Sequence, residues 1–108
     1  MTVLGRWRIT RMPDYTNDYP DMMEPAYILF ENHGSGEFAF GCVTGQIFAG
    51  GEGNAPAFSW IGNDEMDEAQ GHGWAELKPD GSLTGAICFH NGNEANFIAR
   101  RETSSTAC

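Results

Sequence analysis

Apolar positions along the chain gather into eight short runs, each the length of a β-strand, separated by Gly, Asn, Asp and Pro. The pattern predicts strands over residues 4–12, 26–32, 36–43, 46–50, 57–62, 72–78, 82–90 and 95–101. Two runs show the period of two that half-buried strands require. Phe38, Phe40 and Cys42 alternate with Glu37, Ala39 and Gly41, and Leu83, Gly85, Ile87 and Phe89 alternate with Thr84, Ala86, Cys88 and His90. Helical periodicity has scarcely any support. Connections such as Asn32-His33-Gly34-Ser35-Gly36 and Pro79-Asp80-Gly81 are turn-forming, because Gly accepts positive φ and Pro presets φ at a turn's first corner.

Short connections make consecutive runs hairpin partners, so the expected fold is all-β and antiparallel. Eight such strands in an open sheet leave two raw edges, which closure into an up-and-down β-barrel removes. A two-sheet β-sandwich is the alternative. Strand phase places Trp7, Ile9, Tyr27, Leu29, Phe38, Phe40, Phe58, Trp60, Leu77, Ile87, Phe89 and Phe97 inward, with Gly73, Ala75, Gly85 and Ala99 as small partners. An eight-stranded barrel has room for packed side chains or for one small ligand. With this many rings in short strands, a packed core beneath a shallow pocket is expected.

Composition narrows the setting. A chain of 108 residues fits one domain, here residues 1–102 with 103–108 as a flexible tail, and hides roughly 65% of its unfolded surface. Six Lys and Arg against fifteen Asp and Glu give a formal charge of -9, which opposes binding to nucleic acid or anionic membranes. The opening Met1-Thr2-Val3-Leu4-Gly5 lacks a secretory pattern, and no run approaches the roughly 18 apolar residues of a membrane helix. A soluble cytoplasmic protein is expected. Three cysteines make a poor disulfide framework, and Cys42 and Cys88 read as reduced core thiols.

Gly5-Arg6-Trp7 in the first strand, with Arg100-Arg101 in the last, resembles the structural signature of the calycins, the lipocalin and avidin-like barrels. In that family the Arg packs over the Trp where the barrel closes, which implies a structural role for Gly5, Trp7 and either Arg100 or Arg101, with Arg101 in phase with Phe97 and Ala99. The resemblance covers strand count, order and these positions. Lipocalins usually have longer chains and often a helix beside the last strand, so it carries no particular ligand.

Closure also gathers Arg6, Arg8, Arg11, Arg100 and Arg101 into one seam, leaving only Lys78 elsewhere. Like charges opposite one another destabilise a sheet, so these arginines are expected to be staggered or paired with carboxylates, including those of a second subunit in a homo-oligomer. Alternate connections share an end of the barrel, which collects residues 13–25, 44–45, 63–71 and 91–94. The first is the longest, and its Tyr15, Tyr19, Met22 and Met23 suit a cover over an apolar mouth walled by Phe40, Trp60 and Phe89.

The same end carries Asp64, Glu65 and His90, the candidates for acid–base chemistry. The calcium-loop pattern fails from Asp64, because Met66 takes the third place and the sixth lacks Gly. His33, His72 and His90 have no zinc-site spacing, so no metal and no cofactor is expected. Neither a nucleophile elbow nor a dinucleotide loop is present: Ser35 sits in His-Gly-Ser-Gly, and Gly51-Glu52-Gly53-Asn54-Ala55 ends in Pro56. The leading expectation is a non-catalytic barrel that takes a small, largely apolar molecule at its mouth. A protein-interaction or oligomeric scaffold, and a small cyclase or isomerase, are the alternatives.

Overall fold

The computed structural model describes residues 3–15, 19–51 and 53–102. Eight strands run in chain order: β1 (Gly5–Arg11), β2 (Tyr27–Phe30), β3 (Gly36–Phe40), β4 (Val43–Phe48), β5 (Ala57–Asp64), β6 (Asp67–Leu77), β7 (Ser82–Phe89) and β8 (Glu94–Arg101). Each pairs antiparallel with its neighbours, and β1 pairs with β8, closing an up-and-down barrel. The expected tail, residues 103–108, lies outside the described residues. Among those residues, no helix is long and apolar enough to cross a membrane.

Arg101 marks the closure. Its guanidinium lies 4.3 Å from the Trp7 ring centroid, and its Nη1 donates to the Leu4 carbonyl at 2.7 Å. Gly5 permits this approach, since it sits at φ 118 and a Cβ there would meet Arg101 Nη1 at 2.8 Å. The Trp7 indole is fully buried, and its Nε1 donates to the Val3 carbonyl at 2.8 Å, which satisfies the one polar atom of the ring.

Inside the barrel, large rings fill the space that small residues leave. A Cβ on Gly45 would stand 2.5 Å from the Phe38 ring and 2.9 Å from the Trp60 ring. One on Gly73 would stand 2.6 Å from the Phe58 ring. The inward glycines thus accommodate aromatic side chains, and Phe38, Phe58, Trp60, Ile87 and Phe97 are all buried.

Three features depart from the sequence pattern. In β2 the buried residues are Ile28 and Phe30, while Tyr27 and Leu29 are half-buried. All five residues from Ala26 to Phe30 are apolar or aromatic, so alternation is silent; the register decides, with Ile28 opposite inward-facing Trp7 and Tyr27 opposite Arg8. The turn between β3 and β4 is Gly41-Cys42, not Thr44-Gly45, because Phe40 pairs with Val43 and Gly45 is needed inside against Phe38. Residues 63–71 are not a loop: β5 and β6 continue until Asp64 pairs with Asp67, and Glu65 takes φ 59 to make a two-residue turn without glycine.

Cys42 and Cys88 are correspondingly not core residues but half-buried free thiols, one in a turn and one on the outer side of β7. Burial and the Glu94 carboxylate push the Cys88 thiol upward, so it is held as SH rather than thiolate.

Gly45→Ala is expected to cost about 1–3 kcal/mol by overpacking the Phe38–Trp60 contact. Gly51→Ala, whose Cβ would find ordinary contact at 3.5 Å from Pro56, is expected to leave stability nearly unchanged. Urea denaturation of the two variants tests the difference.

Candidate functional site

The mouth is the end that receives the β1–β2 connection, the Gly41-Cys42 and Glu65-Met66 turns and residues 90–93, as the strand order requires. The described part of the β1–β2 connection bends across it. Tyr15 and Tyr19 stack at 4.7 Å between ring centroids, and Tyr15 lies 5.9 Å from Phe40. Phe40 stacks on Phe38 at 5.9 Å; Phe38 meets Trp60 edge-on at 5.1 Å, and Trp60 meets Phe89 at 5.2 Å. A continuous series of rings therefore runs from the solvent-facing loop to the barrel centre. Trp60 Nε1 is shared between the carbonyls of His72 and Cys88 at 3.2 Å each, fixing that indole against the neighbouring strands β6 and β7.

Polar contacts tether the loop. Asp14 accepts from both the backbone NH and the side-chain amide of Asn96, at 2.8 and 3.0 Å. Asp21 accepts from the Ala26 backbone NH and forms a two-point pair with Arg8, with both nitrogen–oxygen distances 2.9 Å. Gly41 NH donates to the Pro20 carbonyl at 2.8 Å, and Cys42 NH reaches the Tyr19 hydroxyl at 3.3 Å. Gly41 is obligatory here: its φ is 54, and a Cβ would run into the Tyr19 ring.

These contacts set the local acidities. Hydrogen bonds from Asn96 hold the Asp14 carboxyl below the usual range, as those from Arg8 and Ala26 do for Asp21. Burial pushes the hydroxyls of Tyr15 and Tyr19 up, so both rings are neutral at physiological pH.

Of the residues proposed from sequence, Phe40, Trp60, Phe89, Tyr15 and Tyr19 are brought into this one ring series. Met22 and Met23 are 54% and 70% exposed. His90 ends its strand: its backbone NH donates to the Gln70 carbonyl at 2.8 Å, and its Nδ1 lies 3.2 Å from the same oxygen. Asp64 and Glu65 belong to the projecting β5–β6 turn, and among the described residues no hydrogen bond or ion pair joins either to His90. No group of three or more His, Cys, Asp or Glu is placed to hold a metal ion among the described residues. The tethers Asp14, Asp21, Asn96 and Gly41 were not legible as site residues, since each acts through a partner distant in sequence.

Three arginines of the seam, Arg6, Arg8 and Arg101, are engaged within the chain. Arg8 stands opposite Arg100 rather than staggered from it, yet reaches Asp21, while Arg6 pairs with Glu102 at 2.8 Å. Arg6 also covers the Tyr27 ring at 3.9 Å. Burial, with the hydrogen bond from the Tyr27 hydroxyl to Glu37, pushes that hydroxyl up to about 12.

At the opposite end, a cleft of about 260 Å³ opens between the β2–β3 and β4–β5 connections. A second hollow, of about 360 Å³, lies beside the β1 bulge against Pro20 and Asp21. Compared with known proteins, the chain matches no family model, no curated protein and no solved structure.

Acid is expected to release the loop before it melts the barrel. Because Asp14 and Asp21 have folded-state acidities below their ordinary values, their stabilising contribution is complete above about pH 4 and is lost as pH falls through the lowered values. Amide NMR should then show the Asn96 and Ala26 resonances moving while strand amides stay protected. Asp14→Ala should reproduce the Asn96 change at neutral pH.

Proposed function

We propose that this protein is a non-catalytic binding module whose barrel mouth takes a small, largely apolar, planar molecule. The observation that carries this reading is that the outermost rings of the mouth, Tyr15 and Tyr19, come from a connecting loop and not from the barrel wall. The wall itself ends at Phe40, an apolar ring face against which Tyr15 rests. A flat guest stacks on Phe40 where Tyr15 now lies, gaining comparable ring contact while the loop gives up a few partly exposed hydrogen bonds. Such displacement lowers apparent affinity by the fraction of closed molecules, so loosening the loop strengthens binding.

A calycin-like affiliation is consistent with this reading. Its support is the closed barrel together with the contact of Gly5, Trp7 and Arg101 at the closure.

The uncharged fluorescent probe N-phenyl-1-naphthylamine tests the mouth. Saturable one-to-one binding is expected, with about tenfold higher affinity for Tyr15→Ala/Tyr19→Ala, which empties the mouth. Absence of binding to both proteins sinks the reading.

A second reading, an oligomeric scaffold, is favoured by one specific surface. On the outer side of β4, β5 and β6, Phe48, Ile61 and Trp74 are 50%, 53% and 42% exposed, and the outward positions between them are Gln46, Ala57, Ser59, Gln70 and His72. A chain of formal charge -9 thus keeps the middle of this face free of carboxylates, with Glu68 and Glu76 only at its ends on β6, where two copies approach with little like-charge contact. Sedimentation equilibrium is expected to show a weak dimer that Trp74→Glu abolishes; a monomer at all concentrations eliminates this reading.

A further inference from the structure

The cleft at the end away from the mouth is walled by Val3, Leu4 and Phe30 on one side and by the backbone of Gly50 and Gly51 on the other, with Glu31 and His33 at its rim. Its volume of about 260 Å³ is below the ~300–1,000 Å³ of drug-sized sites, which suits a compact molecule.

The cleft is a fixed feature of the fold. Gly50 NH donates to the Gly34 carbonyl at 3.0 Å, and Val3 NH to the Gly53 carbonyl at 3.2 Å, so the two connections and the start of the chain are bound together. Gly34 packs so closely that a Cβ there would stand 2.6 Å from the Gly50 carbonyl oxygen. Of the three non-glycine residues with left-handed backbone among those described, two flank the cleft: His33 at φ 67 and Ala49 at φ 53. Alanine has no side-chain hydrogen bond to offset that conformation, and such strain concentrates where a surface is shaped for a partner.

Unlike the mouth, this cleft is not filled by stacked rings of the described residues. Leu4 is 43% exposed beside it. Among the described lining residues, Glu31 supplies the one permanent charge, and its carboxylate has no ion pair or hydrogen bond from another described residue. The nearby cation Arg101 is directed at the Leu4 carbonyl and the Trp7 face. An apolar wall, one free carboxylate at the rim and a chain of net charge -9 together select a positively charged guest with a short apolar body.

We infer that the cleft between the β2–β3 and β4–β5 connections is a second binding site, independent of the mouth, for a small organic cation such as a primary alkylammonium, with Glu31 taking the ammonium and Leu4 and Phe30 the alkyl chain. A carboxylate accepts charge-assisted hydrogen bonds from the ammonium, and the chain displaces water from apolar surface.

The test is an amide NMR titration of the full chain with hexylammonium, 1-hexanol, hexanoate and ammonium chloride. Saturable shifts are expected at Leu4, Glu31–Ser35, Gly50 and Gly51, strongest for hexylammonium, weaker for hexanol, and absent for hexanoate and for ammonium alone. Glu31→Gln should weaken hexylammonium about fivefold and remove its advantage over hexanol. Leu4→Trp, which fills the cleft from its exposed wall, should block both. Equal binding of hexylammonium, hexanol and hexanoate, shifts spread over the acidic surface, an equal effect of ammonium alone, or no shifts at all each overturns the inference. Shifts confined to Tyr15, Tyr19 and Cys42 also overturn it while leaving the mouth reading standing.

Discussion

The antiparallel pairing of β1 with β8 is the constraint on which every other arrangement in this protein depends. Without it, both strands would present unpaired backbone donors and acceptors, and Trp7 would have no opposite wall. With it, Trp7 becomes a buried plug, roofed by Arg101 on the face where the strands meet. A guanidinium over an indole is worth about 0.5–2 kcal/mol. Its larger contribution is positional, because the Arg101 bond to the Leu4 carbonyl joins the two ends of the ribbon across 97 residues of sequence.

Closure also fixes which connections become neighbours, and the two ends then solve the same problem differently. A barrel this short cannot cover both openings with strand residues. At the mouth, the long β1–β2 connection supplies two tyrosines that extend the core's own ring contacts outward, and carboxylates hold the connection to β8, to Arg8 and to the start of β2. At the other end the connections are rich in glycine, carry no Tyr, Phe or Trp to insert, and leave a concave surface framed by backbone hydrogen bonds. The first end is covered by side chains and the second shaped by main chain.

Charge is distributed unevenly over the outside. The seam strands β1 and β8 carry the arginines, and Arg6 and Arg8 find carboxylates at 2.8 and 2.9 Å. Exposed pairs of this kind contribute little to stability, about 0–1 kcal/mol each, so their role is to neutralise the Arg8–Arg100 juxtaposition that closure imposes. Opposite the seam, β4 to β6 expose Phe48, Ile61 and Trp74, with Glu68 and Glu76 at the two ends of the same outward row on β6.

The number of strands, their order, the closed barrel and the convergence of Tyr15, Tyr19, Phe40, Trp60 and Phe89 were legible in the residues, because period-two alternation and short turn-forming connections leave few ways to satisfy eight apolar ribbons. Alternation fails where every residue is apolar, as from Ala26 to Phe30, and there only pairing with Trp7 chose Ile28 and Phe30 for the interior. It fails again at Gly45, which reads as a turn residue and in fact gives Phe38 and Trp60 their space, and at the acidic stretch after Asn63, where ladder hydrogen bonds extend the hairpin with Ala69 as its one buried side chain. The tether residues and the far cleft belong to the same class, being products of contacts between distant segments. Local sequence determined that the chain would form ribbons joined by short turns; the tertiary structure decided phase, turn position and the open end, because those depend on which atom lies across the barrel and no single strand contains that information.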